Sequence, residues 1–540
     1  MKQVLTCDVT KLNKMELIKL KKDGLDILNE IRDFANTGFT AIKSDDLDLL
    51  KWAGVYVQKP KSEGYFMMRV KLPGGCLTSK QATVLSKIST DYGRGQIQIT
   101  SRQAIQLHWI RIEVLPDILD LLSSVGLSSI EACGDCPRTV IGNPLSGIDP
   151  DELFDTSSLL TEVAQFFQSN RLFSNLPRKF KISISASPYN AGHAEINDLA
   201  FVPAVKTVND AIIKGFHVFV GGGLSSTPLI AKKLDIFVRP EEVLAVASAV
   251  ATIFRDYGYR EKRFHCRLKF LVSDWGVDKF RDELIKITGS LLTAGDDYRT
   301  HWNGGFYYGV NRQKQVGKSY VGLNVPVGQI EATDLDALGR LANSYGDGSL
   351  RTTNSQNLII TNISDEKIPE LLQETLLQRF TCTPKNFIGH AVSCTGNRYC
   401  NLAIVETKER LKAITEYLDD KCDINTPICI HMSGCPNSCG QQQIADISLQ
   451  GALINRGGKF FEAFELAVGG TLGPKACFAK KLTGRVLAED TAEIIAQIMH
   501  TFKTNRKNSE TMHEYIERVG IQDLQSILDT YETITANICP

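Results

Sequence analysis

The chain has 540 residues, 43% hydrophobic and 23% charged, with a formal net charge of zero. That length calls for several cores, and a balanced charge gives no support to nucleic-acid binding, which leaves a basic excess. No run approaches the roughly 18 to 20 apolar residues of a membrane span, and 14 cysteines are too few for a disulfide scaffold, so a reducing, cytoplasmic setting is the simplest expectation.

Residues 1–50 open with MKQVLTCDVTKLNKMELIKLKKDG, where Leu and Ile alternate with Lys and Asp. This reads as a surface helix and lacks the apolar run of a signal peptide. Residues 51–115 read as strand, helix, turn, strand. VKLPGG ends an extended run, YGRG makes a turn, and QIQITSRQAIQLHWI alternates with Ile97, Ile99, Ile105, Leu107 and Trp109 apolar. Residues 120–290 hold the strand-like runs KFKISIS and FHVFVGGG. Residues 300–370 then repeat the earlier unit. One ungapped register places Pro73 on Pro326, Gly75 on Gly328, Tyr92 on Tyr345, Gly95 on Gly348, Thr100 on Thr353 and Gln103 on Gln356. Residues 385–530 hold ICIHMS and FELAVGG. Both larger regions end a strand-like run in a glycine pair, so they too are expected to be copies. The expected fold is α+β and internally duplicated, with two small and two larger α+β domains around a pseudo-twofold axis and a cofactor cleft between the halves.

The copies differ in charge. Arg69 aligns with Gly322, Lys71 with Asn324 and Arg102 with Ser355. Cations also mark CPRTVIGNP (Arg138) and LPRKFK (Arg178, Lys179, Lys181). Lys179 and Lys181 would project from one face of a strand, where two like charges need an anion between them. The second half holds CTGNRYC, Cys394 to Cys400, and CPNSC, Cys435 to Cys439. C-x5-C is wide for structural zinc and acceptable for an iron–sulfur cluster; zinc and unligated core cysteines remain alternatives on spacing alone. Cys133 and Cys136 form a C-x2-C pair with no partner pair. VGGGL at 220–224 is not a nucleotide fingerprint, so electrons for a redox reaction must come from another protein. A non-catalytic iron–sulfur protein or a zinc-stabilised binding protein would have no use for the cations.

C-x5-C with C-x3-C, together with TSRQ, an Arg before LPGG, GNP, LPRKFK and INDLAFVPA, resembles the sirohaem and [4Fe–4S] nitrite/sulfite reductases from about Lys51 to beyond residue 480. The resemblance implies two ferredoxin-like half-domains and two larger cofactor-binding domains. It implies a [4Fe–4S] cluster on Cys394, Cys400, Cys435 and Cys439, with Cys439 bridging to the sirohaem. It also implies substrate-facing Arg69, Arg138, Lys179 and Lys181, and sirohaem contacts from Arg102, Gln106, His108 and Arg178. The implied partner is ferredoxin, and the implied substrate is a small inorganic anion reduced by a monomeric enzyme. Lysine at both KFK positions resembles the sulfite reductases, making sulfite reduction to sulfide the first expectation. GNPLSGIDPDELFD resembles the nitrite reductases, making nitrite the alternative. Some relatives with this wording join the positions of Tyr56 and Cys133 covalently.

Overall fold

The computed structural model describes residues 9–538. The first repeat supplies β1 (Val55–Val57), β2 (Tyr65–Val70), β3 (Cys76–Thr78), β4 (Gln96–Ile99) and β5 (Ile105–Arg111), with a helix at Ser79–Tyr92. That helix begins in a capping box between Thr78 and Gln81 and buries Ala82, Leu85 and Ile88. Along β2, Phe66, Met68 and Val70 enter the core while Arg69 faces the other way.

The next region forms β6 (Ile141–Gly142), β7 (Ile182–Ile184), β8 (Leu199–Val208), β9 (Ala211–Val220), β10 (Lys232–Val238) and β11 (Asp296–Asp297). The second repeat supplies β12 (Gly309–Arg312), β13 (Lys318–Leu323), β14 (Gln329–Glu331), β15 (Ser349–Thr352) and β16 (Leu358–Ser364). The last region forms β17 (Ala391–Ser393), β18 (Ile430–Ser433), β19 (Ile447–Arg456), β20 (Lys459–Val468), β21 (Lys480–Lys481) and β22 (Val486–Leu487).

The two small sheets have the orders β1-β2-β5-β4-β14 and β12-β13-β16-β15-β3. By the repeat register β14 is the counterpart of β3 and β15 of β4, so each half contributes a short strand to the other's sheet. A single hydrophobic core consequently runs through both, from Leu85 and Ile97 to Leu335 and Ile360. The copies agree even in strained backbone: Gln103 (φ 53°) and Gln356 (φ 65°) both take the left-handed region.

The two larger sheets also match. In each, three strands run parallel and a long antiparallel hairpin follows. Lys181 N donates to Asp198 Oδ2 at 2.8 Å, and Cys429 N to Asp446 Oδ2 at 2.8 Å. Gly221 N and Gly469 N close the same turn on the carbonyls of those two aspartates. The duplication expected from the paired glycines is therefore present.

Three local expectations need correction. Lys179 and Lys181 alternate around buried Phe180, but this segment precedes β7, held by a single bridge from Phe180 to Pro137. Trp109 sits at a bulge with φ 64°, which turns it out beneath Arg94 and returns Ile110 to the core. The helix Lys14–Lys21 lies at the surface with Lys14, Leu17 and Leu20 exposed, but its buried face carries charge, Glu16 and Lys19 beside Met15 and Ile18. The start of that N-terminal segment, residues 1–8, lies outside the described residues. Among the described residues no helix is long and apolar enough to cross a membrane.

Candidate active site

Parallel neighbours β17 and β18 end side by side, so the loops they feed, Cys394 to Cys400 and Cys435 to Cys439, emerge at one edge of the sheet. The four thiols lie within electrostatic reach of one another. Burial, and then Cys439, pushes the Cys394 thiol up to about 12, and burial also raises Cys400 and Cys435. N–H groups point at three of the sulfurs: Gly434 N to Cys394 Sγ at 3.2 Å, Leu402 N to Cys400 Sγ at 3.4 Å and Asn437 Nδ2 to Cys435 Sγ at 3.5 Å. Among the described residues no group of three or more His, Cys, Asp or Glu side chains is arranged to hold a single metal ion. Four thiols on two neighbouring loops suit a multi-iron cluster. Cys439 alone of the four is exposed, and its carbonyl accepts the Ser101 hydroxyl at 3.0 Å. That bond ties the TSRQ turn of the first half to the cysteine loop of the second.

The cations gather against this seam. Arg69 Nη2 donates to Gln106 Oε1 at 3.1 Å across the β2–β5 pair, and its Nη1 lies 3.7 Å from Cys133 Sγ. Arg138 gives three of its five N–H donors to the Gly134 and Ala132 carbonyls at 2.8–3.2 Å, leaving two. Arg102 is held by Asn197 Oδ1 at 2.7 Å and the Thr139 carbonyl at 2.9 Å, and burial lowers its pKa to about 9. Lys179 and Lys181 form no ion pair among the described residues. Both are held well below the ordinary lysine value, first by burial and then by neighbouring cations, with Cys439 opposing at Lys179 and Asp198 at Lys181. Both residues are half-buried.

Arg178 and His108 sit differently from the rest. Arg178 is turned onto Asp135 at 3.2 Å, where Arg263 and Lys19 also converge. His108 Nδ1 donates to Gln58 Oε1 at 3.2 Å, and the ring stacks on Tyr399 of the cysteine loop at 3.9 Å. Burial lowers its pKa to about 3, so the ring is neutral. It belongs to the cysteine side of the seam and has no hydrogen bond to the cations. Tyr56 and Cys133 are close enough to interact electrostatically, and burial, then Cys133, pushes the Tyr56 hydroxyl up to about 12. Cys136 turns back on the Cys133 carbonyl at 2.9 Å.

Several residues escaped the sequence reading. Arg267 clamps Asp198 through Nη2 at 2.8 Å and Nε at 3.1 Å. His193 and His431 are buried, neutral and adjacent. A signal existed for His193: SPYNAGHAEIND superimposes on CPNSCGQQQIAD, pairing Pro188 with Pro436, Gly192 with Gly440 and Asp198 with Asp446. In the first copy Ser187 and Ala191 stand where Cys435 and Cys439 stand in the second.

The donor set fits an anionic macrocycle beside a cluster. Arg69 Nε, Arg102 Nε, His108 Nε2, both ring nitrogens of His193, and His431 Nε2 are buried without a protein partner, as are Gln441 Oε1 and Gln442 Oε1. Buried polar groups are normally satisfied, and among the described residues these orphans, with His108 near Arg69 and His193 near Arg102, suit a polar, carboxylate-bearing group.

Comparison with known proteins supplies independent findings. Residues 133–290 and 385–535 match the nitrite and sulphite reductase 4Fe-4S domain, and residues 57–125 and 311–377 match the nitrite/sulfite reductase ferredoxin-like half domain. The chain is 40% identical over 502 residues to a ferredoxin–nitrite reductase of Synechococcus elongatus, covering 92% of this chain and 97% of that one. It is 34% identical over 539 residues to sulfite reductase [ferredoxin] 1 of Mycolicibacterium paratuberculosis, covering 95% and 96%. The solved structure of the Mycobacterium tuberculosis NirA protein superimposes with a TM-score of 0.89 at 33% identity, covering 95% of this chain and 97% of that one.

Proposed function

The chain belongs to the nitrite and sulfite reductase family, and we propose that it reduces a small oxyanion, nitrite or sulfite, by six electrons drawn from ferredoxin. The observation that carries this reading is the unpaired cation group of one half set against the exposed Cys439 of the other. Sirohaem and the [4Fe–4S] cluster, the cofactors of this family, supply electron storage and an iron centre for the oxyanion.

Cys394, Cys400, Cys435 and Cys439 would hold the cluster. Arg102, Gln106, His108 and Arg178 would lie along the sirohaem, with the free Nε of Arg102 directed at a carboxylate. Arg69, Arg138, Lys179 and Lys181 would bind the substrate oxygens. Arg138 is fixed by three backbone contacts and so positions substrate with little reorganisation. The two lysines have depressed pKa values, so each gives up a proton more readily than an ordinary lysine, which suits them to donate to oxygen leaving as water. No nucleotide fingerprint lies in the chain, and the nitrite reductases it resembles are named as ferredoxin enzymes.

On the finer choice, Lys181 favours sulfite, which carries more charge and more oxygen than nitrite. The comparisons do not favour sulfite over nitrite: relatives at 40% and 39% identity are named nitrite reductases, and the sulfite reductase stands at 34%. The deciding measurement is kcat/KM for each anion with reduced ferredoxin. Lys181→Asn is expected to lower the sulfite value relative to nitrite by about tenfold or more, the loss of one charge-assisted contact. Sulfite turnover unchanged by that substitution would defeat the sulfite reading. Intact-mass spectrometry addresses Tyr56 and Cys133, because a covalent bond between them removes two hydrogens and a hydrogen bond removes none.

A further inference from the structure

Lys408 is 3% exposed, yet it is a lysine outside every cation motif assigned above. It opens the helix Lys408–Lys421, directly after Thr407, which is fully buried. The Thr407 hydroxyl donates to the Cys394 carbonyl at 2.7 Å, and its Oγ1 lies 4.0 Å from Cys394 Sγ. Gly396 leaves no room for a side chain, since a Cβ there would stand 2.6 Å from Thr407 Oγ1. The start of this helix is thus packed against the first cysteine of the set.

The Lys408 ammonium donates to the Val327 carbonyl, which lies in the left-handed turn of the second repeat (φ 49°). It forms no ion pair among the described residues. Among the negative groups acting on it, Cys394 comes before Glu406 and Glu409. Its charge is also felt by the buried His108 ring. Burying an unpaired ammonium is unfavourable, and a single carbonyl does not offset it. The compensating negative charge nearest at hand is the thiolate set.

We infer that Lys408 sets the reduction potential of the cluster, its buried charge favouring the reduced form. The inference rests on the family reading above. Reduction adds one negative charge to the cluster while Lys408 stays where it is. A cation in a low-dielectric surrounding stabilises the more negative state, and net charge near a cluster is among the factors that set its potential. The N–H groups on Cys394, Cys400 and Cys435 act in the same direction. Lys408 differs from them in carrying a full charge, and it acts through the cluster without touching substrate.

The test is a redox titration of the holoenzyme followed by the electron paramagnetic resonance of the reduced cluster, with iron and sulfide content measured on the same samples. Lys408→Gln keeps a donor for the Val327 carbonyl and removes the charge; Lys408→Arg keeps the charge. At the potential where half the wild-type clusters are reduced, Lys408→Gln is expected to show a reduced-to-oxidised ratio lower by about tenfold, and Lys408→Arg a ratio within about twofold of wild type. An unchanged ratio in Lys408→Gln with full iron content overturns the inference. If Lys408→Gln assembles no cluster, Lys408→Met decides by the same ratio. Wild-type protein without a reducible iron–sulfur signal would instead overturn the family reading.

Discussion

Asp135 and Glu131 are two buried carboxylates five residues or fewer from Cys133, with opposite electrostatic fates. Burial alone would raise Asp135, but Lys19, Arg263 and Arg178 together hold it well below the usual carboxylate range. A depressed folded pKa contributes stability above the unfolded value of 3.8 that is lost as pH falls through the folded value. Asp135→Asn leaves Arg178 and Arg263 without their carboxylate and is expected to destabilise by about 3–5 kcal/mol at neutral pH, with the loss shrinking in acid; chemical denaturation at two pH values checks both. Glu131 is raised from 4.5 to about 7, chiefly by burial, although Lys71 and the Ser169 amide at 2.6 Å oppose it. A raised folded pKa contributes stability that is complete below about 4.5 and lost as pH rises through about 7. Glu131→Gln should therefore remove a fall of about 2–3 kcal/mol across that window. A wild-type stability profile flat from pH 4.5 to 7.5 would refute the assignment. Neither residue was legible beforehand. Both sit in EACGDCPR, where the cysteines drew attention, and only packing reveals that Lys19 reaches Asp135 from the N-terminal helix.

The strands explain why a duplicated chain builds one site. Arg69 on β2 faces Gln106 on β5, and the equivalent pair on β13 and β16 is Gly322 and Ile359. Ile359 packs with Leu145, Ile148, Tyr320 and Tyr307. A Cβ on Gly322 would stand 1.7 Å from the Tyr307 carbonyl oxygen. Where the first half sets an arginine against Gln106 and Cys133, the second holds a glycine so that the segment around Tyr307 can lie on the strand. Gly322→Ala is expected to cost about 3 kcal/mol or more, read from the denaturation midpoint. Retention of wild-type stability would mean the segment moves aside freely. The charge difference at Arg69 and Gly322 was visible in the aligned repeat, but its meaning was not, because no pattern in HWNGGFYYG says what it covers.

At the scale of the molecule, strand exchange joins the two small domains. β3 and β14 each complete the sheet of the opposite half, and one core spans both. The pair is expected to unfold as one unit. Native-state hydrogen exchange should give β4 and β15 amides the same opening free energy within about 1 kcal/mol, and separate values would show independent domains. Periodicity, the paired Pro-Gly turns and the repeat register determine the element types, the duplication and the division into cations and cysteines, since these depend on residues near one another in sequence. The packed chain alone decides the exchange of strands, the carboxylates that balance the cations, the removal of His108 to the cysteine side and the placing of Lys408 beside Cys394. Each of these joins groups from distant segments, and which distant groups share a dry interior is a property of packing that no local pattern carries.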